Sequence, residues 1–519
     1  MDLSLASSFR YRRDEVAAVA QDHLENVAAI VVKNEAKIFV HYDTKQIKEN
    51  IGGEKKLVER LAVVVSSPVL ERDVLLCAFP LESGTGEAMA DAVYAILCSV
   101  ELQDHVGGIV ADTTASNFGP YRGSITILQE YLGYPVLVIP CQHHTYELPA
   151  KHVTRLVSGK RTTGVGETIF ITYKNNYNEL KNILEDSTVP LKTFDLARSV
   201  IIWAEKALQE DTFDRGDYRY SVKLLLKFLG IHLPGFSFER PKDTSPARFL
   251  IYGIFYLEIT LTMNNALAYE LYSGAEREKV ILMAMFSACF YLPNMLKAKF
   301  PAQIPTLTTE FVFELRKLKE VHKDIADCAL EVMSRHLEPV SGELAILGIA
   351  DKTLSDEERE EVGKKLLRLS QIPGCWEPGN MEILPVKVPN ITKEERYWQD
   401  DQFPALATFI NRRSFLLLDH LSWKKEDLKV FDSPFPEWHE NHKFKELCKV
   451  IEGMQVVNDN AERTIKMIKD YIKTTKSEQG LQNILLAVDV MRERSGRFKA
   501  SNFTNAKLSK AIDGMLELS

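Results

Sequence analysis

Between residues 37 and 140 the chain carries five short apolar runs, and the way they are separated restricts the fold more than any other feature. Runs at 37–43, 60–66 and 74–79 are rich in β-branched and aromatic residues, and the turn signals Gly52-Gly53 and Ser67-Pro68 lie between them. Runs at 106–112 and 135–140 are each preceded by a segment of helical spacing, over 87–100 and 121–132. The order is therefore β-β-β-α-β-α-β. Strands joined by short turns are most simply antiparallel, and strands joined through helices are most simply parallel with right-handed crossovers. A mixed five-stranded sheet flanked by helices is the predicted result.

Helical periodicity precedes this block and dominates after it. Val16, Val19, Ala20, His23, Leu24, Val27, Ile30 and Val31 recur at helical spacing within the first 35 residues. From about 172 to 450 strand signals mostly vanish. Helices are predicted over 217–229, 245–272, 277–291, 310–335 and 355–370, the last opened by the capping box of Ser355 and Glu358. A Pro- and Trp-rich stretch over 372–404 interrupts them, and one more helix is predicted over 461–473. A length of 519 residues exceeds one ordinary domain, and 45% hydrophobic residues can supply more than one core. The expected organisation is an N-terminal helical segment (1–35), a first part of an α/β core (36–150), a helical insertion (151–450), a returning core helix (451–475) and a basic helical segment (476–519).

A net charge of -8 excludes a uniformly basic nucleic-acid binder, although 463–510 holds 11 Lys and Arg against 4 Asp and Glu. Seven cysteines are scattered and never form a CxxC pair, which argues against a zinc ribbon or a disulfide framework and suits a reducing compartment. The longest uncharged apolar run, 280–296, is interrupted by Ser287, Pro293 and Asn294 and reads as a buried helix, so no membrane contact is expected.

Two acids draw attention by position. Asp43 and Asp112 each follow an apolar run directly, at the predicted C-terminal ends of the first and fourth strands. If those strands are parallel neighbours, both carboxylates emerge at one edge of the sheet. Close carboxylates repel unless a cation lies between them, so such a pair suits Mg²⁺ or Mn²⁺. Two oxygen-bound ions would activate a water and stabilise a leaving oxygen in phosphodiester chemistry. Taken singly, each acid is better explained by a turn, and only the two together favour a functional reading. Cys141 and His144, at i and i+3 of a starting helix, would share a face; zinc is disfavoured because no second Cys/His pair lies nearby. Glu462 sits beside the stripe of Ala461, Ile465, Ile468 and Ile472, where Asp459 as N-cap and Glu462 three residues on would also make a capping box. The stretch from Thr113 to Gly123 is mostly small and polar. The Gly-rich segment at 83–87 and the basic loop at 158–164 both lack the spacing of a nucleotide-phosphate loop.

The order and spacing of these features resemble the RNase H-like cut-and-paste DNA transposases, most nearly those of hAT type and the transposon-derived proteins of animal genomes. The resemblance spans nearly the whole chain. It implies an α/β core with an RNase H-like sheet, interrupted by a large all-α insertion. It also implies a catalytic, metal-binding triad of Asp43, Asp112 and Glu462 holding two Mg²⁺ or Mn²⁺ ions, supported by Cys141, His144 and Arg463. DNA would be the partner, contacted by Lys160 and Arg161 and by an insertion aromatic, Trp398 or Trp423, stacked on an unpaired base. Self-association and a nuclear location are further implications. Members of that family normally carry an N-terminal zinc finger, and none fits the first 35 residues. A domesticated, non-catalytic DNA- or chromatin-binding or protein-interaction scaffold is therefore the alternative, beside an unrelated helical interaction protein whose acids cap turns.

Overall fold

Five strands form one sheet in the order β3-β2-β1-β4-β5: β1 (Ile38–Ile51), β2 (Glu54–Ser66), β3 (Val74–Leu81), β4 (Val106–Ala111) and β5 (Leu137–Pro140). Pairs β1–β2 and β2–β3 are antiparallel, whereas β1–β4 and β4–β5 are parallel. The computed structural model describes residues 5–51, 54–159, 167–180, 195–210, 213, 215–239, 250–263, 265–385, 404–472, 475 and 477–494. Around and after the sheet run α1 (Leu5–Lys33), α2 (Gly86–Ser99), α3 (Ala115–Phe118), α4 (Ser124–Leu132), α5 (Gln142–Ser158), α6 (Gly216–Phe228), α7 (Leu250–Thr262), α8 (Gly274–Phe286), α9 (Asp356–Ser370), α10 (Asp459–Tyr471) and α11 (Glu478–Arg494), with further helices between.

The mixed sheet matches the order of the apolar runs, with one correction. Strand β1 does not end at Asp43. Its parallel pairing with β4 stops at His41↔Val110, but its ladder with β2 continues to Ile51↔Glu54. Beyond Asp43 the residues alternate, with Ile47 and Glu49 buried and Gln46 and Lys48 exposed, so the pair persists as a hairpin arm past the reach of β4. Apolar content falls there, which is why a run-based reading stops early.

Period-2 alternation divides the sheet between separate cores. Val40, Tyr42, Leu61, Val63 and Val65 pack with Val27 and Val31 of α1, Val93 and Leu97 of α2 and Leu128 of α4. Ala62, Val64, Leu75 and Ala78 pack with Ala461, Ile465 and Ile468 of α10 and Leu485 of α11. Phe39, Val110, Leu137 and Ile139 join Tyr146 and Val153 of α5 to the large helical core that fills the rest of the chain.

In the helical part Ser355 and Glu358 form the predicted capping box of α9. The helix predicted over 310–335 is two, Ile304–Leu318 and Lys323–Met333, and the turn between them leaves Val321 65% exposed, outside any buried stripe. The helix predicted over 277–291 starts at Gly274 and passes through a π turn, Ser287–Tyr291, into Leu292–Lys297. Pro293 has no N–H to give to the preceding turn, and a widened turn accommodates it. This Gly274–Lys297 stretch is long and apolar enough to cross a bilayer, and 78% of its apolar window is buried inside the protein.

One ion cluster fastens the hairpin arm to α11. Arg60, 2% exposed, donates from Nε to Glu49 Oε1 at 2.7 Å and from Nη2 to Glu49 Oε2 at 3.0 Å. It also donates from Nη1 and Nη2 to the two oxygens of Glu478 at 2.6 and 2.9 Å. Removing one partner of a buried ion cluster leaves the others unpaired. Arg60→Ala should therefore lower the unfolding free energy by about 3 kcal/mol, measured by denaturant titration.

Candidate active site

The ends of β4 and β5, the middle of β1 and the start of α10 meet at one place, and hydrogen bonds hold them there. Strand β4 ends at Ala111, whose carbonyl accepts from Cys141 N at 2.9 Å, just past the end of β5. Gln142 N donates to Val456 O at 3.0 Å, which draws in the segment before α10. Asn458 closes the junction: its N–H points to Cys141 Sγ at 3.4 Å and its Nδ2 donates to Tyr42 O at 3.0 Å, although Tyr42 is 416 residues away in sequence. The next side chains along each element, Asp112 after β4 and Asp43 after Tyr42, are thereby brought to the same end of the sheet.

A small open cleft at this junction is lined by Asp112, Cys141, His143, His144, Glu147, Asn458, Asp459 and Glu462. Four residues singled out in the sequence, Asp112, Cys141, His144 and Glu462, thus share one cleft across more than half the chain. Asp43 is not in its lining; its Oδ1 accepts from Thr44 N at 2.9 Å. Arg463 sits outside the lining as well and reaches Asn460 Oδ1 from Nη1 at 3.5 Å. Lys160, Arg161 and Trp398 lie outside the described residues. Trp423 is corrected: it is 1% exposed and stacks on Phe431 with ring centroids 5.8 Å apart, so its ring belongs to the core and offers no face to a base.

His144 Nδ1 stands 3.6 Å from Asp112 Oδ2 and 3.8 Å from Glu147 Oε2, and Lys151 Nζ lies 2.9 Å from Glu147 Oε1. Alternating acidic and basic groups therefore run along the first two turns of α5. Burial, with the Asp112 carboxylate adding to it, pushes the Cys141 thiol well above its ordinary range. A protonated, buried thiol that accepts a main-chain N–H is a packing element rather than a nucleophile or soft-metal ligand.

The strongest polar cluster was not legible in the sequence. Asp459 reads there as the N-cap of a helix, but Asn458 occupies that position and Asp459 is the first helical residue. Its carboxylate instead takes His143 Nδ1 at 3.0 Å, Arg215 Nη1 at 3.2 Å and the Tyr218 hydroxyl. Arg215, 6% exposed, is also held by both oxygens of Asp217 at 2.9 and 2.6 Å and lies 4.7 Å from the centre of the Tyr218 ring. Burial alone would raise the Asp459 pKa, but His143, Arg215 and Tyr218 outweigh it and hold the carboxyl far below its usual range. Burial and the neighbouring Arg215 both work against the charge on Arg463. The doublet His143-His144 was the only local hint that α5 faces two ways; Arg215 and Tyr218 carry no sequence signal that ties them to a site 241 to 244 residues on.

Hard carboxylate oxygens of this kind suit Mg²⁺ or Mn²⁺. As the side chains stand, no group of three His, Cys, Asp or Glu among the described residues is placed to hold an ion. No known protein-family model matches the chain, and no curated protein is significantly similar to it.

Two outcomes follow from the electrostatics. Under native conditions iodoacetamide should leave Cys141 unmodified at neutral pH while labelling the exposed Cys98, as read by peptide mass spectrometry. Asp459→Asn should destabilise the fold by about 3 kcal/mol near neutral pH. A carboxyl with a depressed folded pKa stabilises fully above its unfolded value of about 3.9, and that contribution is lost as the pH falls through the folded value. The gap between wild type and variant should be constant above about pH 5 and shrink below about pH 4, measured by denaturation at each pH.

Proposed function

We propose that this chain is a divalent-metal-dependent DNA strand-cleaving and strand-joining protein built on an RNase H-like core, of the hAT-like transposase kind, acting in the nucleus. The single observation that carries this reading is the shared cleft: Glu462, at the start of a helix that returns after the whole helical region, lines it together with Asp112, Cys141 and His144. The sheet order β3-β2-β1-β4-β5, with β2 antiparallel to both its neighbours, supports the same reading, because it sets Tyr42, in mid-strand on β1, beside the end of β4 that Asp112 follows.

Asp112 and Glu462 would hold the ions, joined by Asp43 once its carboxylate leaves the Thr44 amide. Bound there, Mg²⁺ or Mn²⁺ would lower the pKa of a water and stabilise the oxygen that leaves phosphorus. The protein's own groups do the rest. His144 orients the Asp112 carboxylate from 3.6 Å. Asn458 fixes the start of α10 against β1, so that Glu462 is presented one turn on. DNA is the partner, and copies of the chain would act together on its two ends.

A second reading is favoured by one observation. No three-ligand group stands ready among the described residues, and His144 occupies one side of Asp112. That suits a domesticated scaffold that binds DNA, chromatin or protein without cutting. Purified chain with Mn²⁺ and supercoiled plasmid separates the two readings. Nicking that falls about 100-fold or more in Asp112→Asn and in Glu462→Gln is expected on the first. Undiminished nicking by Asp112→Asn would overturn it, and DNA binding without any metal-dependent cutting would establish the second.

A further inference from the structure

Deeper in the loop that follows Asp112, the backbone is packed tightly around an exposed aromatic ring. Tyr121 is 87% exposed, and its neighbours Pro120 and Arg122 are also exposed. An isolated apolar side chain at the surface is ordinary. The manner in which this one is held is not. A Cβ on Gly86, at the start of α2, would come within 2.1 Å of Arg122 O, and one on Gly123 within 2.5 Å of Asn117 O, so two close backbone approaches fix the loop tip.

A chain of hydrogen bonds pins the same loop at both functional strands. Asn117 Nδ2 donates to Asp112 O at 2.9 Å, Ser124 Oγ donates to Asn117 Oδ1 at 3.1 Å, and Ser124 Oγ is 2.6 Å from the Tyr42 hydroxyl. Asn117 and Ser124 are buried, so these bonds are made away from water. One end of the loop is thus tied beside Asp112 and the other to the residue preceding Asp43.

We infer that Tyr121 and Arg122, on the loop that follows Asp112, form a contact site for an unpaired DNA strand, the ring stacking on a base and the guanidinium pairing with the adjacent phosphate. An aromatic face accepts any base, and a planar cation beside it matches the backbone charge. Because the backbone of the loop is already tied at both ends, stacking would have to order only the two side chains. This inference rests on the nucleic-acid reading above but not on cleavage, since strand binding is measured with metal chelated.

The test is fluorescence anisotropy of the full chain with a labelled oligo(dT) in EDTA, across a salt series, beside a duplex of the same length. Tyr121→Ala should weaken oligo(dT) binding about tenfold with its salt slope unchanged. Tyr121→Trp should restore affinity, and its added fluorescence should be quenched by the strand. Arg122→Ala should lower the slope of log affinity against log salt by about 0.7. Both side chains are exposed, so the melting temperatures of the variants should equal that of wild type. Wild-type affinity in Tyr121→Ala and Arg122→Ala overturns the inference, as does a wild-type chain that ignores oligo(dT). Loss of plasmid nicking alone, with these affinities as expected, overturns only the catalytic reading.

Discussion

One largely buried carboxylate holds together parts of the chain that are distant in sequence. Asp459 gathers His143 from α5 and Arg215 and Tyr218 from α6 onto the first turn of α10. A carboxylate deprived of water costs several kcal/mol unless its oxygens are fully satisfied. Here three donors meet two oxygens, and Asp217 shares the charge on Arg215. The cleft inherits its geometry from this arrangement. Asn458 immediately before Asp459 bonds Tyr42, and Glu462 lies one turn after it. The helical region is therefore not an appendage of the sheet: α6 helps to set where Glu462 stands.

The sheet was legible because its information is local. Each strand is an apolar run with its own turn signals, and connection length alone assigns parallel or antiparallel neighbours. Strand β1 outran its apolar run because a hairpin needs only a backbone partner, and β2 supplies one up to Ile51↔Glu54. The site was legible in outline. Asp112, Cys141, His144 and Glu462 do meet, whereas Asp43, in mid-strand on β1, accepts from the Thr44 amide and is outside the cleft lining. Asp459 was read as a cap because caps are decided within four residues of sequence, while its partners lie 241 to 316 residues away. Trp423 looked like a free aromatic for a comparable reason, since nothing near it in sequence announces the stacking on Phe431.

Cys141 shows how a polar-looking motif serves structure. At the N-cap of α5 it receives the Asn458 N–H, and its own N–H goes back to β4. The thiol is small enough to sit between a strand end and an incoming helix, and burial keeps it neutral there. His144, three residues on, faces the acids, while His143 faces Asp459. All three line the cleft, yet they divide the labour: Cys141 joins strands, His144 faces the acids and His143 locks the helical region in place.

The second face of the sheet carries a consequence for how the chain is made. Ala62, Val64, Leu75 and Ala78 share a core with Ala20 of α1 but take much of their cover from α10 and α11, and Ala78 N reaches Gln482 across 404 residues. At about 5 to 20 residues per second, a ribosome takes about 20 to 80 s to deliver that cover after the strands have emerged. During that interval a nascent sheet presents bare aliphatic surface. The arm of β1 and β2 adds unpaired edges to it. Surface of this kind is prone to aggregate before its cover arrives, and truncation before residue 459 would remove the part of that cover which α10 and α11 supply.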